Sequence, residues 1–230
     1  MKPEATFVRS AAAVSDLPAD GIPEIALVGR SNVGKSSLIN ALVRQRLART
    51  SAAPGKTRLA NIYRVQVAQG VPFHLVDLPG YGYARGGRSA AQAFDDLTHA
   101  YFARERRRPG QGAEAPSIGR RPAALLLVDS RHPGLESDKA AWTWLHTAVD
   151  EAAVVATKVD KLARGERIRA LRELESVFQR PVLPVSAVTG EGLDELWRVI
   201  NQLANSSSHP RRSRTHPRAT APLLPKKATR

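Results

Sequence analysis

The chain has 230 residues, 42% of them hydrophobic, and a formal net charge of +14. That length suits one well-buried α/β domain with extensions, the lack of cysteine excludes disulfides and thiolate zinc sites, and no apolar run reaches the roughly 18 residues a bilayer span needs. Residues 1–20 carry Glu4, Asp16 and Asp20 and no long apolar core, so a secretory signal is not expected; the expectation is a cytoplasmic protein without a membrane anchor.

Residues 1–22 are expected as an N-terminal extension to a domain over 23–204. Glu24-Ile25-Ala26-Leu27-Val28 is a short apolar run that predicts a buried strand. It leads into Gly29-Arg30-Ser31-Asn32-Val33-Gly34-Lys35-Ser36, which matches G-x-x-x-x-G-K-[ST], and Ser37-Leu38-Ile39-Asn40-Ala41-Leu42-Val43 then opens a helix. Strand, glycine-rich turn and helix together give the pattern its mechanism. Backbone N–H groups of the loop and first helical turn converge on an anion. Gly29 and Gly34 admit a close phosphate approach that a Cβ would obstruct. Lys35 supplies charge to the β- and γ-phosphates, and the Ser36 hydroxyl can ligate Mg²⁺.

Next comes Pro54-Gly55-Lys56-Thr57-Arg58-Leu59. A Thr in such a stretch can complete the Mg²⁺ shell when a triphosphate is bound. Thr57 suits this better than Thr50, because Gly55 lends flexibility and the next strand follows closely. Gly55, Lys56, Thr57, Arg58 and Leu59 are expected to border the nucleotide. Residues 61–68 alternate in polarity and predict a strand with one solvated face. Phe73-His74-Leu75-Val76-Asp77 follows after Gly70 and Pro72, close enough to pair with it as a hairpin.

Asp77-Leu78-Pro79-Gly80 ends that strand. An Asp there can hold Mg²⁺ through a water, and the Gly80 N–H can sense a γ-phosphate, so the loop can order when that phosphate is present and relax when it is gone. Residues 106–122 hold Pro109, Gly110, Gly112, Pro116 and Gly119 between Arg106, Arg107 and Arg108 and Arg120 and Arg121; they read as a flexible basic loop. Residues 123–128 form a continuous apolar run, as a central parallel strand should. Residues 153–157 and 182–185 repeat that type.

Thr157-Lys158-Val159-Asp160 ends the first of these two. A carboxylate there can accept from the guanine N1–H and N2 amine; adenine lacks that donor pair and would leave the carboxylate unpaired. The Lys158 stem can cover the base plane. Val185-Ser186-Ala187 ends the other, where backbone groups can read the guanine O6. Ile168, Leu171, Leu174, Val177 and Phe178 form one apolar helix face, and Leu193, Leu196, Trp197, Ile200 and Leu203 another, with Trp197 in the core. Residues 205–230 are expected as a disordered basic tail: from Ser206 on there are seven basic residues, no acidic one and repeated prolines. Such a tail either contacts a polyanion or is merely solvated.

The strings Pro23-Glu24-Ile25-Ala26, Gly-Arg-Ser-Asn-Val-Gly-Lys-Ser-Ser-Leu-Ile-Asn from Gly29, Pro54-Gly55-Lys56-Thr57, Asp77-Leu78-Pro79-Gly80-Tyr81-Gly82-Tyr83-Ala84 and Thr157-Lys158-Val159-Asp160 together closely resemble the EngB family of bacterial Ras-like GTPases, over about residues 5–203. The resemblance implies an α/β, Ras-like P-loop fold: a mostly parallel six-stranded sheet with one antiparallel edge strand and helices on both faces. It also implies GTP and GDP binding, Mg²⁺ dependence, slow hydrolysis, a role in assembling the large ribosomal subunit from its rRNA and proteins, and a link to cell division. A monomer off the ribosome is expected. Two segments depart from the family core, residues 109–122 and the basic tail.

Where many GTPases have a water-orienting Gln, this chain has Tyr81. Asn32 looks like the Asn that holds K⁺ beside the phosphates in related GTPases. Lys35, Asn32, Thr57 and Gly80 are therefore the expected catalytic set, with K⁺ offsetting developing charge. Arg85 and Arg88 can contact phosphates, and Tyr81 and Tyr83 either stack on a base or pack on protein. A septum-associated binding module is the alternative reading. An ATP-dependent nucleotide kinase is disfavoured by Asp160.

Overall fold

Continuous apolar runs become the central strands. A computed structural model describes residues 3–49, 59–68, 70–81, 96–104 and 121–206. The strands are β1 (Glu4–Ala11), β2 (Glu24–Gly29), β3 (Ala60–Gln66), β4 (Phe73–Asp77), β5 (Ala123–Asp129), β6 (Ala152–Thr157) and β7 (Val182–Pro184). They form one sheet in the order β1-β3-β4-β2-β5-β6-β7. Every residue of β2, β4 and β5 is buried. Strands covered on both faces must lack the polar alternation of a half-solvated sheet.

The expected mostly parallel α/β sheet is present, with one strand more than the six expected. The seventh is β1, which pairs antiparallel with β3 from Glu4 opposite Gln66 to Ala11 opposite Ala60, with a register shift between Phe7 and Arg9. Its residues are mostly exposed, so hydropathy alone does not mark it as a strand. β3 also pairs antiparallel with β4, giving the expected hairpin. β3 does not show the expected solvated face: only Arg64 among Ala60–Gln66 is exposed.

Helices α1 (Lys35–Val43) and α5 (Leu193–Ser206) cover one face. Leu38, Ile39 and Leu42 of α1 and Leu196, Ile200 and Leu203 of α5 share a core with Ile25, Leu27, Phe73 and Leu125. The opposite face carries α2, described over residues 96–103, with α3 (Glu136–Ala148) and α4 (Arg164–Phe178). Tyr101, Phe102, Trp144, Leu174 and Phe178 pack there against Ala26, Val76 and Leu126. Trp197 is half-buried and meets Phe73 edge-on at 6.4 Å, as a packing residue. The expected α4 face shifts slightly: Ile168 is 45% exposed and Ala170 is buried. Among the described residues no helix is long and apolar enough to cross a membrane.

Strand order places successive elements on opposite sides of β2: β4 on one side and β5 on the other. At such a switch point the loops after parallel strands diverge and leave a crevice at their carboxyl ends, where ligands of open α/β sheets bind. Gly29, Asp77, Asp129 and Thr157 are all terminal residues of parallel strands there.

Candidate functional site

The loop after β2 is shaped by two left-handed residues, Asn32 at φ 62° and Gly34 at φ 111°. Alternating handedness turns successive N–H groups toward one side. At Gly29 a Cβ would come within 2.7 Å of the Leu127 carbonyl and 2.9 Å of Val33, so only glycine lets β2 pass this close to β5. Lys35 is buried and folds back, with Nζ donating to the carbonyls of Gly29 at 3.0 Å and Arg30 at 3.4 Å. Burial pulls its pKa down, and the nearby Asp77 charge opposes that.

Ser36, in the first turn of α1, donates its hydroxyl to Asp77 Oδ2 at 2.9 Å. Asp77 is 1% exposed, and its Oδ1 has no hydrogen-bond partner. Burial raises the Asp77 pKa, against the pull of Lys35 and the Ser36 hydroxyl. A buried carboxylate with one unmatched oxygen beside a hydroxyl is costly alone. It fits a hard divalent cation with oxygen ligands, directly or through water. Ser36 and Asp77, two of the three expected metal ligands, are thus brought together; the third, Thr57, lies outside the described residues.

Gly80 lies directly on the phosphate loop. A Cβ there would be 2.5 Å from the Ser31 nitrogen and 2.8 Å from the Arg30 carbonyl carbon. The Ser31 N–H donates to the Tyr81 carbonyl at 3.1 Å, and its hydroxyl donates to the Gly80 carbonyl at 3.4 Å. Tyr81 does not present its ring for base stacking. It is 9% exposed and donates its hydroxyl to Asp138 Oδ1 of α3 at 2.9 Å. Burial, then the Asp138 charge, pushes the Tyr81 pKa well up. Tyr81 packs on protein because its ring completes the α2–α3 core. Tyr83, Arg85 and Arg88 lie outside the described residues.

The opposite wall is built from the ends of β6 and β7. Thr157 donates its hydroxyl to the Val33 carbonyl at 2.7 Å and the Val128 carbonyl at 3.1 Å, tying β6 to the phosphate loop. Lys158 adopts the left-handed region at φ 61°. Val159 donates its N–H to the Val185 carbonyl at 3.4 Å. The buried Ser186 donates to Asp160 Oδ1 at 2.7 Å, while accepting from the N–H groups of Val188 at 3.2 Å and Thr189 at 3.1 Å. That hydroxyl bond chiefly holds the Asp160 pKa below its ordinary value. Asp160 is therefore a charged, oriented acceptor at the rim, with Ala187 beside it in the chain.

The loop Gly29–Ser36, Ser37 on the exposed side of α1, Asp77-Leu78-Pro79-Gly80 and the two later motifs all lie at this end of the sheet. Gly55, Lys56, Thr57 and Arg58 lie outside the described residues, as do 106–120 and the tail from 207; Leu59 is 39% exposed just before β3. Sequence reasoning missed Asp129 and Asp138. Asp129 ends β5 and accepts from Arg131 and Lys158. Its signal was an acidic residue ending an apolar strand, Leu127-Val128-Asp129-Ser130-Arg131, in register with Thr157.

Residues 24–186 match the family model described as "50S ribosome-binding GTPase". The chain is 42% identical over 203 residues to the "Probable GTP-binding protein EngB" of Pelotomaculum thermopropionicum, covering 86% of this chain and 94% of that protein. It is 41% identical to the protein of the same name from Clostridioides difficile, over 84% and 90% of the two chains. Among solved structures, a probable GTP-binding protein engB matches with a TM-score of 0.56 at 23% identity, covering 80% of this chain and 99% of that one. Era in complex with MgGDPNP and nucleotides 1506–1542 of 16S ribosomal RNA matches with a TM-score of 0.64 at 19% identity, over 85% of this chain and 59% of that one.

Proposed function

Because the chain belongs to the EngB family of GTP-binding proteins and is a GTPase, we propose that it is a slow, Mg²⁺-dependent GTP switch. It acts in assembly of the large ribosomal subunit and is needed for normal cell division. The observation that carries the switch is that Asp77 and Gly80, at and after the end of β4, both lie against the phosphate loop, Asp77 through Ser36 and Gly80 through Ser31. The ribosomal partner is supported by the family's description as 50S ribosome-binding and by the rRNA bound to the Era neighbour.

In this reading residues 23–204 are the nucleotide domain, 1–22 an extension contributing β1, and 205–230 a basic tail. Residues Gly29 to Ser37 surround the phosphates. Lys35 releases its carbonyl partners to reach the β- and γ-phosphates, exchanging two neutral acceptors for anionic ones. Ser36, Asp77 and Thr57 would hold Mg²⁺, which when bound neutralises charge on the phosphate oxygens. Gly80 donates its N–H to the γ-phosphate, which requires its segment to lift from Ser31. Residues 55–59 belong to the nucleotide-binding set in this reading. Asp160 accepts from the guanine edge, Lys158 covers the base with Thr157 and Val159 setting its height, and the Val185-Ser186-Ala187 backbone reads O6.

Tyr81 is committed to Asp138 and takes no part in orienting water, which accounts for a low intrinsic rate. Asn32, exposed on the loop, is placed to bring K⁺ to the phosphates. Equal turnover in K⁺ and Na⁺, with and without ribosomal particles, would remove K⁺ from the scheme. The partner reading is tested by sucrose-gradient sedimentation with ribosomal subunits. The protein is expected to travel with large-subunit particles in a non-hydrolysable GTP analogue and to leave them in GDP. Identical profiles in both nucleotides would refute it.

A further inference from the structure

The charged side chains of three residues, Asp129, Arg131 and Lys158, meet. Asp129 ends β5 and is 6% exposed. Arg131 donates Nε to its Oδ1 at 2.9 Å and Nη2 to its Oδ2 at 2.7 Å, and the Arg131 N–H reaches Oδ1 at 3.1 Å. Lys158 donates Nζ to the same Oδ2 at 2.8 Å and to the Asn32 carbonyl at 2.6 Å.

Lys158 needs such anchors. A lysine arm has large rotamer entropy, and a left-handed backbone is unfavourable for a residue with a Cβ. Its two acceptors lie on different elements, β5 and the phosphate loop. Pinned between them, Lys158 Cε lies 3.9 Å from where a Cβ on Gly34 would stand. The arm therefore runs flat along the glycine of the loop, next to Asp160 on the same turn. Burial works against the Asp129 charge, but hydrogen bonds from Arg131 and Lys158 outweigh it and hold its pKa well below the ordinary range. Arg131 thus keeps the carboxylate charged, and the carboxylate keeps the ammonium in place.

We propose that Asp129 is a positioning residue, which fixes Lys158 across the phosphate loop as the shelf for the purine face. This rests on the reading above that Lys158 covers the base. It adds that the shelf is built in advance of nucleotide, by a residue that never touches the nucleotide. Preorganisation of this kind gives affinity by removing an ordering cost at binding.

The test is equilibrium binding of a fluorescent N-methylanthraniloyl GDP, with Mg²⁺, to the full chain and to D129N, K158M and the double variant. D129N is expected to weaken binding roughly tenfold, the scale of one charged hydrogen bond. In the K158M background D129N is expected to add less than about twofold, since coupled residues are non-additive. An unchanged D129N beside a weakened K158M, or equal losses in both backgrounds, overturns the proposal alone. An unchanged K158M overturns the reading of Lys158 and the proposal with it. A second measurement needs no variant: acylation of lysines in nucleotide-free protein, mapped by mass spectrometry. Lys158 is expected to react several-fold more slowly than Lys161, the less buried of the two. Equal reactivity overturns the proposal even if D129N fails to fold.

Discussion

Single residues divide here into those whose chemistry is local and those whose chemistry comes from a distant partner. Asp77 is buried, bonded once by Ser36, and has an oxygen without a partner. D77N is therefore expected to lose most of the Mg²⁺-dependent gain in GTP affinity, by tenfold or more. Titrating Mg²⁺ at fixed nucleotide checks this, and an unchanged titration counts against Asp77 as ligand. Asp129 gives a pH prediction. Its folded pKa lies below its ordinary value of 3.8, so the unfolded chain takes up its proton first as pH falls. The stability it contributes is full above about pH 4 and is lost as pH drops through the folded value. Urea unfolding between about pH 5.5 and pH 3 should show a shallower acid loss for D129N than for the parent. The phosphate-loop residues were legible in sequence because they are contiguous. Asp129 and Asp138 were not, because each acquires its role from a side chain far along the chain, as Tyr81 shows by bonding Asp138.

At the scale of elements, the described start of the segment after β4 is held at two adjacent residues. Gly80 rests on Ser31, and Tyr81 is tied to α3. G80A would place a methyl against the loop backbone, which cannot yield as a flexible side chain can. It is expected to destabilise the nucleotide-free protein by about 1–3 kcal/mol and to slow GTP hydrolysis. Y81F removes the Asp138 bond and leaves a buried carboxyl without it, at a cost of about 1–3 kcal/mol. Thermal unfolding checks both, and a Y81F protein as stable as its parent would show that Tyr81 is held by packing alone. The strands β2, β4, β5 and β6 were readable as apolar runs. β1 was not, since Phe7 and Val8 remain exposed and its place comes from pairing with β3. Ile168 likewise followed the helical period yet is 45% exposed, while Ala170 is buried in its place.

For the whole molecule, the sheet gathers strand ends into one crevice, and the proposed ribosomal partner rests on the description of the matching family. The +14 charge favours an RNA-rich partner. If the tail contributes through phosphates, removing residues after Asn205 should weaken particle binding and flatten its salt dependence. Steep salt dependence that survives the truncation would place the contacts on the folded domain. The central claim joins the guanine-reading carboxylate to the partner, and one substitution tests both. D160N exchanges an acceptor for a donor, which suits xanthine in place of guanine. Sedimentation of D160N with large ribosomal subunits should occur in a non-hydrolysable XTP analogue and not in the corresponding GTP analogue. Sedimentation equal in both analogues, or in neither while nucleotide remains bound, would contradict a GTP-dependent switch on the ribosome.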